Sequence, residues 1–185
     1  MRIAKVGDLY CMKVPNGYKL YQWAYHIPKF GQYIRVFSGQ YHEIPSDVEE
    51  IAASKHSYIV GFAAGKAYRL GLSEHLGNYP VPEQYPFPEY MLRASCYNDD
   101  HQVDAIYIRE ISTGNEDKYC VSSINELPEP YRDADMLNAH LTPDWLMYLF
   151  DTNFDLDHLG WFTPGTAIKK YTDLWNSMER ESNKK

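Results

Sequence analysis

Cysteine, positive charge and long apolar runs are all scarce in this chain, and each shortage removes a class of protein. The three cysteines, Cys11, Cys96 and Cys120, are odd in number and widely spaced. They supply neither a disulfide framework nor a zinc motif, and they read as buried small hydrophobes. No run of about 18 apolar residues is present, so no transmembrane helix is expected. The start, Met1-Arg2-Ile3-Ala4-Lys5-Val6-Gly7-Asp8, lacks the apolar core of a signal peptide. A cytoplasmic protein without a membrane partner is the expectation. Lys and Arg number 18 against 25 Asp and Glu, a net charge of -7. Phosphate contacts need cations, so nucleic acid is not expected as a partner.

The signatures of chemistry are missing as well. The seven histidines, at 26, 42, 56, 75, 101, 140 and 158, form no His-x-His and no His-Glu-x-x-His. There is no Gly-x-Ser-x-Gly nucleophile elbow. Gly61-Phe62-Ala63-Ala64-Gly65-Lys66 is followed by Ala67, where a phosphate loop needs Ser or Thr. Asp151-Thr152-Asn153-Phe154-Asp155 imitates the first, third and fifth positions of a calcium loop. Its sixth position is Leu156 in place of glycine and its twelfth is Phe162 in place of glutamate. No catalytic, cofactor or metal residue is therefore assigned. Internal repeats and low-complexity segments are also absent.

What the chain does have is proline in one place and tyrosine everywhere. Four of its eleven prolines fall within residues 77–88, the stretch Gly77-Asn78-Tyr79-Pro80-Val81-Pro82-Glu83-Gln84-Tyr85-Pro86-Phe87-Pro88. Each proline fixes φ, removes a donor and forces its predecessor to be extended. The stretch reads as an ordered connector held down by Tyr79, Val81, Tyr85 and Phe87. Seventeen tyrosines and 44% apolar residues supply a sizeable core.

The first forty-five residues read as a β-meander. Strands are expected at Leu9 to Val14, Tyr18 to Ile27 and Gln32 to Phe37, with Asn16-Gly17 as a turn. Alternation places Tyr21, Trp23, Tyr25 and Ile27 on one face of the second strand. A short helix starts near Ser46, a possible cap, and ends near Ser54. A buried strand follows at Tyr58 to Ala63, with another at Ala67 to Leu70. Beyond the prolines, strands are expected at Tyr90 to Tyr97, Val103 to Ile111 and Tyr119 to Ser122. Their turns would carry Asp99, Asp100, Glu116 and Asp117 at loop tips. Thr142-Pro143 opens a helix, and a last amphipathic helix runs from about Pro164 to Glu181.

These elements predict an α+β protein: an N-terminal SH3-like antiparallel β-barrel with a short helix (1–76), a proline-rich connector (77–89), and a second, acidic antiparallel β-region with C-terminal helices (90–185). Charge follows the same division. Residues 1–75 hold nine Lys/Arg against six Asp/Glu, residues 76–135 four against twelve, and residues 136–185 five against seven. An acidic middle suits a basic protein partner. The contact candidates are Asp99, Asp100, Glu116 and Asp117, with Tyr21 and Trp23 as aromatic anchors.

Several motifs together resemble the bacterial immunity protein 26 family of polymorphic toxin systems. They are Val6-Gly7-Asp8-Leu9-Tyr10 with the Pro15-Asn16-Gly17 turn, Glu43-Ile44-Pro45, Gly77-Asn78-Tyr79-Pro80-Val81-Pro82-Glu83, and Pro86-Phe87-Pro88. The resemblance covers roughly residues 5–110 and leaves the last seventy without a match. It implies a cytoplasmic protein without enzymatic activity that binds and neutralises a cognate toxin by stoichiometric occlusion. The motif residues look structural and are not carried over as toxin contacts. A small-ligand-binding β-barrel and a hydrolase with dispersed active-site residues are the alternatives.

Overall fold

In a computed structural model, residues 3–96, 103–154, 156 and 166–182 are described. The strands are β1 (Asp8–Val14), β2 (Gly17–Ile27), β3 (Gly31–Phe37), β4 (His56–Phe62), β5 (Ser73–Asn78), β6 (Tyr90–Cys96), β7 (Val103–Glu110), β8 (Glu116–Tyr119) and β9 (Met136–Leu141). The helices are α1 (Val48–Ala53), α2 (Ala64–Arg69), α3 (Glu129–Arg132), α4 (Pro143–Asp151) and α5 (Thr166–Ser182). All nine strands lie in one mixed sheet, in the order β5-β1-β2-β3-β4-β9-β6-β7-β8.

The expected SH3-like barrel does not form. A barrel needs the far edge of the meander to turn back onto β5. Here that edge, β4, is taken by β9, which runs parallel to it with Ile59 opposite Met136 and Phe62 opposite Leu141. The other side of β9 pairs in parallel with β6, through Met91 opposite Met136. The two expected β-regions are thus halves of one open sheet, joined by a strand that sequence reading leaves as a connection. The expected strand at Ala67 to Leu70 is also corrected, since it lies in and just after α2.

The sheet has two unlike faces. One face carries the main core, with Tyr10, Tyr21, Ile34, Val60, Leu92 and Ile108 all buried. Buried residues of α2 and α4 belong to that core, as does Tyr171 of α5, so we call this the helical face. The other face holds two smaller clusters. Leu9, Cys11, Leu20 and Phe37 pack with Ile51 and Ala52 of α1. Tyr33, Ile59, Met91 and Met136 form the second, with Tyr25, Ile27 and Ile111 at its margin.

A bulge decides which tyrosines go where. Trp23 pairs with Ile34, but Tyr25 pairs with Tyr33, so Ala24 is an extra residue in β2. Side chains before and after the bulge change sides. Tyr21 and Trp23 belong to the helical face, whereas Tyr25 and Ile27 join the cluster on the opposite one. The expected single face of four is split in two.

The proline stretch crosses that opposite face, which we call the strap face. It leaves β5 at one edge of the sheet and enters β6 beyond β9. Its backbone is held at intervals. Tyr79 N–H donates to Gly7 O at 2.9 Å, and the Gln22 amide donates to Tyr79 O at 2.8 Å. The Tyr25 hydroxyl donates to Tyr85 O at 2.9 Å, and Ile111 N–H donates to Glu89 O at 2.9 Å. Prolines remove donors, so apart from the Tyr79 N–H the anchoring falls to carbonyls and aromatic rings.

At the other end of the chain, Asp151 ties three elements together. It accepts from Asn16 N–H at 2.8 Å and from the Tyr171 hydroxyl at 2.7 Å. Asn153 accepts from the buried Lys19 ammonium at 2.7 Å. The calcium-like residues at 151 and 153 are thus turned toward protein donors.

Candidate functional site

Three places hold polar groups in unusual arrangements. The first is a hydrogen-bonded chain under the strap. Arg35 is fully buried in β3. Its Nε donates to His56 Nδ1 at 3.0 Å, one terminal nitrogen to Gln22 Oε1 at 2.9 Å and to Ala52 O at 3.3 Å, and the other to Ser54 O at 2.7 Å. Its guanidinium carbon lies 4.9 Å from the Tyr85 ring centre and 5.2 Å from that of Phe37. Burial pulls the Arg35 pKa down, while Tyr25, Tyr85 and Asp135 push it up. A guanidinium keeps its proton regardless.

That fixed donor settles the tautomer of His56. Nδ1 accepts from Arg35, so the ring proton sits on Nε2 and is donated to Asp135 Oδ2 at 2.7 Å. Clefts of about 550 Å³ and 340 Å³ open beside this pair and share Lys55, His56, Asp133, Ala134 and Asp135 in their walls. A histidine–carboxylate pair in a cleft is what a dispersed hydrolytic site would present. A general base needs a free ring nitrogen, and both nitrogens of His56 are engaged. The chain Arg35–His56–Asp135 instead carries a buried charge to a carboxylate, and it tethers β3, β4, the end of α1 and the strap to one another.

The second place is Asp8, fully buried in β1. It accepts from Lys5 N–H at 2.9 Å, from the Asn78 amide at 2.9 Å and from the Tyr10 hydroxyl at 3.2 Å. His75 Nε2 lies 3.3 Å from it. This cluster closes the bulged pairing of β1 with β5, and its carboxylate faces donors from the protein alone.

The third place lies at the β8 end of the sheet, where a recess of about 440 Å³ opens between Tyr90, Ile108, Glu110, Asp117 and Tyr131. Tyr90 and Tyr131 meet edge to face with ring centres 5.0 Å apart, and Tyr119 lies 5.7 Å from Tyr131. The β7–β8 register explains the gathering. Asp117 stands opposite Ile108 and Tyr119 opposite Ile106, so both project to the helical face. Ser112 and Thr113 donate to Glu110 at 2.6 Å and 2.7 Å and hold its carboxyl below the usual range. Partial burial, then Glu89, Tyr131 and Glu110, raises the Tyr90 phenol above its ordinary value. Burial, then Tyr131 and Asp117, does the same to Tyr119. Carboxylates that raise neighbouring phenols create a negative local potential.

The contact candidates from sequence fare differently. Asp99 and Asp100 lie outside the described residues. Glu116 and Asp117 are in β8 rather than at a loop tip, because β8 begins three residues before the expected strand. They also point to opposite faces. The Glu116 carboxylate accepts from Arg93 at 3.2 Å on the strap face, while Asp117 projects to the helical face; both residues border the recess. Tyr21 is fully buried, its hydroxyl 2.7 Å from Ser73 Oγ, and has no surface to offer a partner. Trp23 is partly buried against the main core, and its indole N–H donates to Tyr25 O at 3.1 Å.

Sequence reasoning missed the tyrosines of the recess and the whole Arg35 chain. Partners 79 residues apart, as His56 and Asp135 are, leave no local spacing to read. Arg35 did leave a signal, a lone charge inside Tyr33-Ile34-Arg35-Val36-Phe37. Among the described residues, no group of three or more His, Cys, Asp or Glu side chains could hold a metal ion, and no helix is long and apolar enough to cross a membrane. No family model matches the chain, and comparisons with curated proteins and with solved structures return no significant match.

Proposed function

We propose that this protein is an immunity protein, which binds a cognate bacterial toxin and neutralises it in the cytoplasm by covering its active surface. One observation carries the reading: the recess at the β8 end. Tyrosines at a sheet margin with carboxylates around them make an interface of the kind that receives a basic side chain. The rings offer area at low entropic cost and the acids fix the sign of the partner. The sequence motifs of residues 5–110 support the same reading. So does His56, whose committed nitrogens leave it no lone pair for hydrolysis.

The toxin surface that meets the recess is basic, and binding is stoichiometric. The test is co-expression with the toxin-like protein encoded next to this gene, followed by pull-down and growth rescue. Rescue with a one-to-one complex that weakens on raising salt supports the proposal. Rescue without a complex would mean that the toxin or its product is altered chemically, and the proposal would fall. Glu110→Gln with Asp117→Asn should weaken the complex about tenfold, since complementary charges across an interface add to its affinity and on-rate.

A further inference from the structure

β8 is the last strand of the sheet, and no described strand pairs with its outer edge. Glu116, Asp117 and Lys118 are all exposed. An edge of this kind presents unpaired backbone groups to solvent. Its two faces differ in net charge once the neighbouring strands are counted. Toward the helical face it shows Asp117, with Glu110 and the tyrosines of the recess alongside. Toward the strap face it shows Lys118, whose ammonium sits 5.8 Å from the Tyr107 ring centre. Arg93 lies over the same ring at 4.2 Å, and Arg109 lies 5.9 Å from that of Phe30. Among the described residues, Glu116 is the carboxylate seen paired with these cations, through Arg93. The hairpin of β7 and β8 is therefore anionic on one face and cationic on the other.

We propose that the outer edge of β8 receives an extended segment of the toxin as a tenth strand, and that it selects a segment whose charges alternate, basic toward the helical face and acidic toward the strap face. The owner of the segment rests on the immunity reading; the selection rule rests on the hairpin alone. An added strand lies about 4.8 Å away and turns successive side chains to opposite faces. Basic residues at alternate positions then meet Asp117 and the recess, while the residues between them meet Lys118 and Glu116, whose charge Arg93 offsets, with Arg109 one strand further in. Main-chain bonds supply affinity, and the alternation fixes register. Short charged edges also serve to repel stray strands. Repulsion needs only charge, whereas charge sorted by face specifies a complement.

The test uses the full chain, labelled with nitrogen-15, and three eight-residue peptides with blocked ends in 150 mM salt. One alternates Lys and Glu. The second has the same composition in two blocks, four Lys then four Glu. The third alternates but is N-methylated, which removes its backbone donors. The alternating peptide should shift amide resonances of β7 and β8, saturate, and slow hydrogen exchange in β8. The block peptide should bind at least fivefold more weakly, and the methylated one should not saturate. Asp117→Lys makes both faces cationic and should weaken the alternating peptide about tenfold.

Equal binding by the first two peptides would reduce the effect to diffuse charge and overturn the inference, as would shifts confined to other strands or none at all. Protection of β8 that grows with protein concentration, without peptide, would assign the edge to a second copy of this chain and overturn it too. Growth rescue separates the two readings. Rescue by the native protein without peptide binding sinks the strand alone, and peptide binding without rescue sinks the immunity reading.

Discussion

Replacing Arg35 tests the fold where it is most concentrated. Arg35→Met keeps an apolar stem of similar length and removes every donor. His56 Nδ1, Gln22 Oε1, Ala52 O and Ser54 O lose a partner each. Stranding a buried acceptor costs roughly 1–3 kcal/mol, and the two carbonyls that end α1 can recover part of that from water. Stacking against Tyr85 and Phe37 adds about 1 kcal/mol. Against this stands relief from burying a guanidinium, which burial already disfavours. The balance is a loss of about 4 kcal/mol, within the range of roughly 3–5 kcal/mol seen when one partner of a buried pair is removed. With a urea m-value of roughly 2 kcal/mol per molar, the midpoint should fall by about 2 M in a titration followed by circular dichroism. Removing both partners, as Arg35→Met with His56→Leu, should cost less than the sum of the single changes, with a coupling of about 1.5–3 kcal/mol. A midpoint shift below about 0.3 M for Arg35→Met, or additive single changes, would show that this chain of hydrogen bonds does not hold the strap side together.

Three further experiments probe other parts of the molecule. Burial, then Glu74, pushes the Cys11 thiol up to about 11, so at pH 8 about one molecule in a thousand carries the thiolate; Cys120 is exposed, and iodoacetamide with peptide mass mapping should label Cys120 while sparing Cys11 in the folded protein. Burial raises the Tyr21 phenol above its ordinary value of about 10, so its contribution to stability is present below pH 10 and is lost as pH rises beyond it. Tyr21→Phe should flatten the alkaline limb of a stability–pH curve, and an unchanged limb would place the alkaline loss elsewhere. Gly17 has φ +133°, and a Cβ there would come 2.3 Å from the Tyr41 carbonyl. Gly17→Ala should therefore destabilise by at least about 2 kcal/mol in the same urea titration, because backbone, not a movable side chain, stands in the way.

Local patterns were legible and long-range ones were not. Asn16-Gly17 marked the β1–β2 turn, and Thr142-Pro143 marked the start of α4. Even there the physics differs from the expectation: the Thr142 hydroxyl bonds to Asp144 and caps no backbone N–H. Ser46 likewise makes no cap, since Asp47 precedes α1. The strap was readable because proline acts through its own φ and its missing donor, which need no partner. The barrel was misjudged because β9, Met136-Leu137-Asn138-Ala139-His140-Leu141, is only six residues long, and its alternation of Leu137, Ala139 and Leu141 with Asn138 and His140 follows a helical stretch. What that segment cannot show is where it pairs, because the open edges of β4 and β6 exist only in the folded sheet. The bulge at Ala24 had no mark either, and missing one residue put Tyr25 on the wrong face. In the candidate site, the count of acids pointed to residues 76–135, the part of the chain that lines the recess. It could not show that neighbours such as Glu116 and Asp117 are parted by the pleat.

The distribution of burial explains why a partner is sought at β8 and not under the strap. Around Arg35, Asp8 and Asp151, the polar atoms named above are turned toward a protein partner, so a ligand arriving there must first displace a native bond. At β8 the polar groups are also bonded, but they lie at the surface. The recess tyrosines touch one another, Glu110 is held ionised by two hydroxyls of its own loop, and one edge of the backbone faces solvent. Groups that are fixed in place before a partner arrives lose little freedom on binding. The strap and its Arg35 anchor thus serve the other half of the sheet indirectly: by tying β5 to β6 across the face, they hold in place the strand on which β7 and β8 are built. If that is right, Arg35→Met at temperatures where it stays folded should leave the affinity of the alternating peptide within about twofold of the native value, while Asp117→Lys lowers it about tenfold with little change in the urea midpoint. Loss of peptide binding in folded Arg35→Met would mean instead that the strap shapes the edge directly.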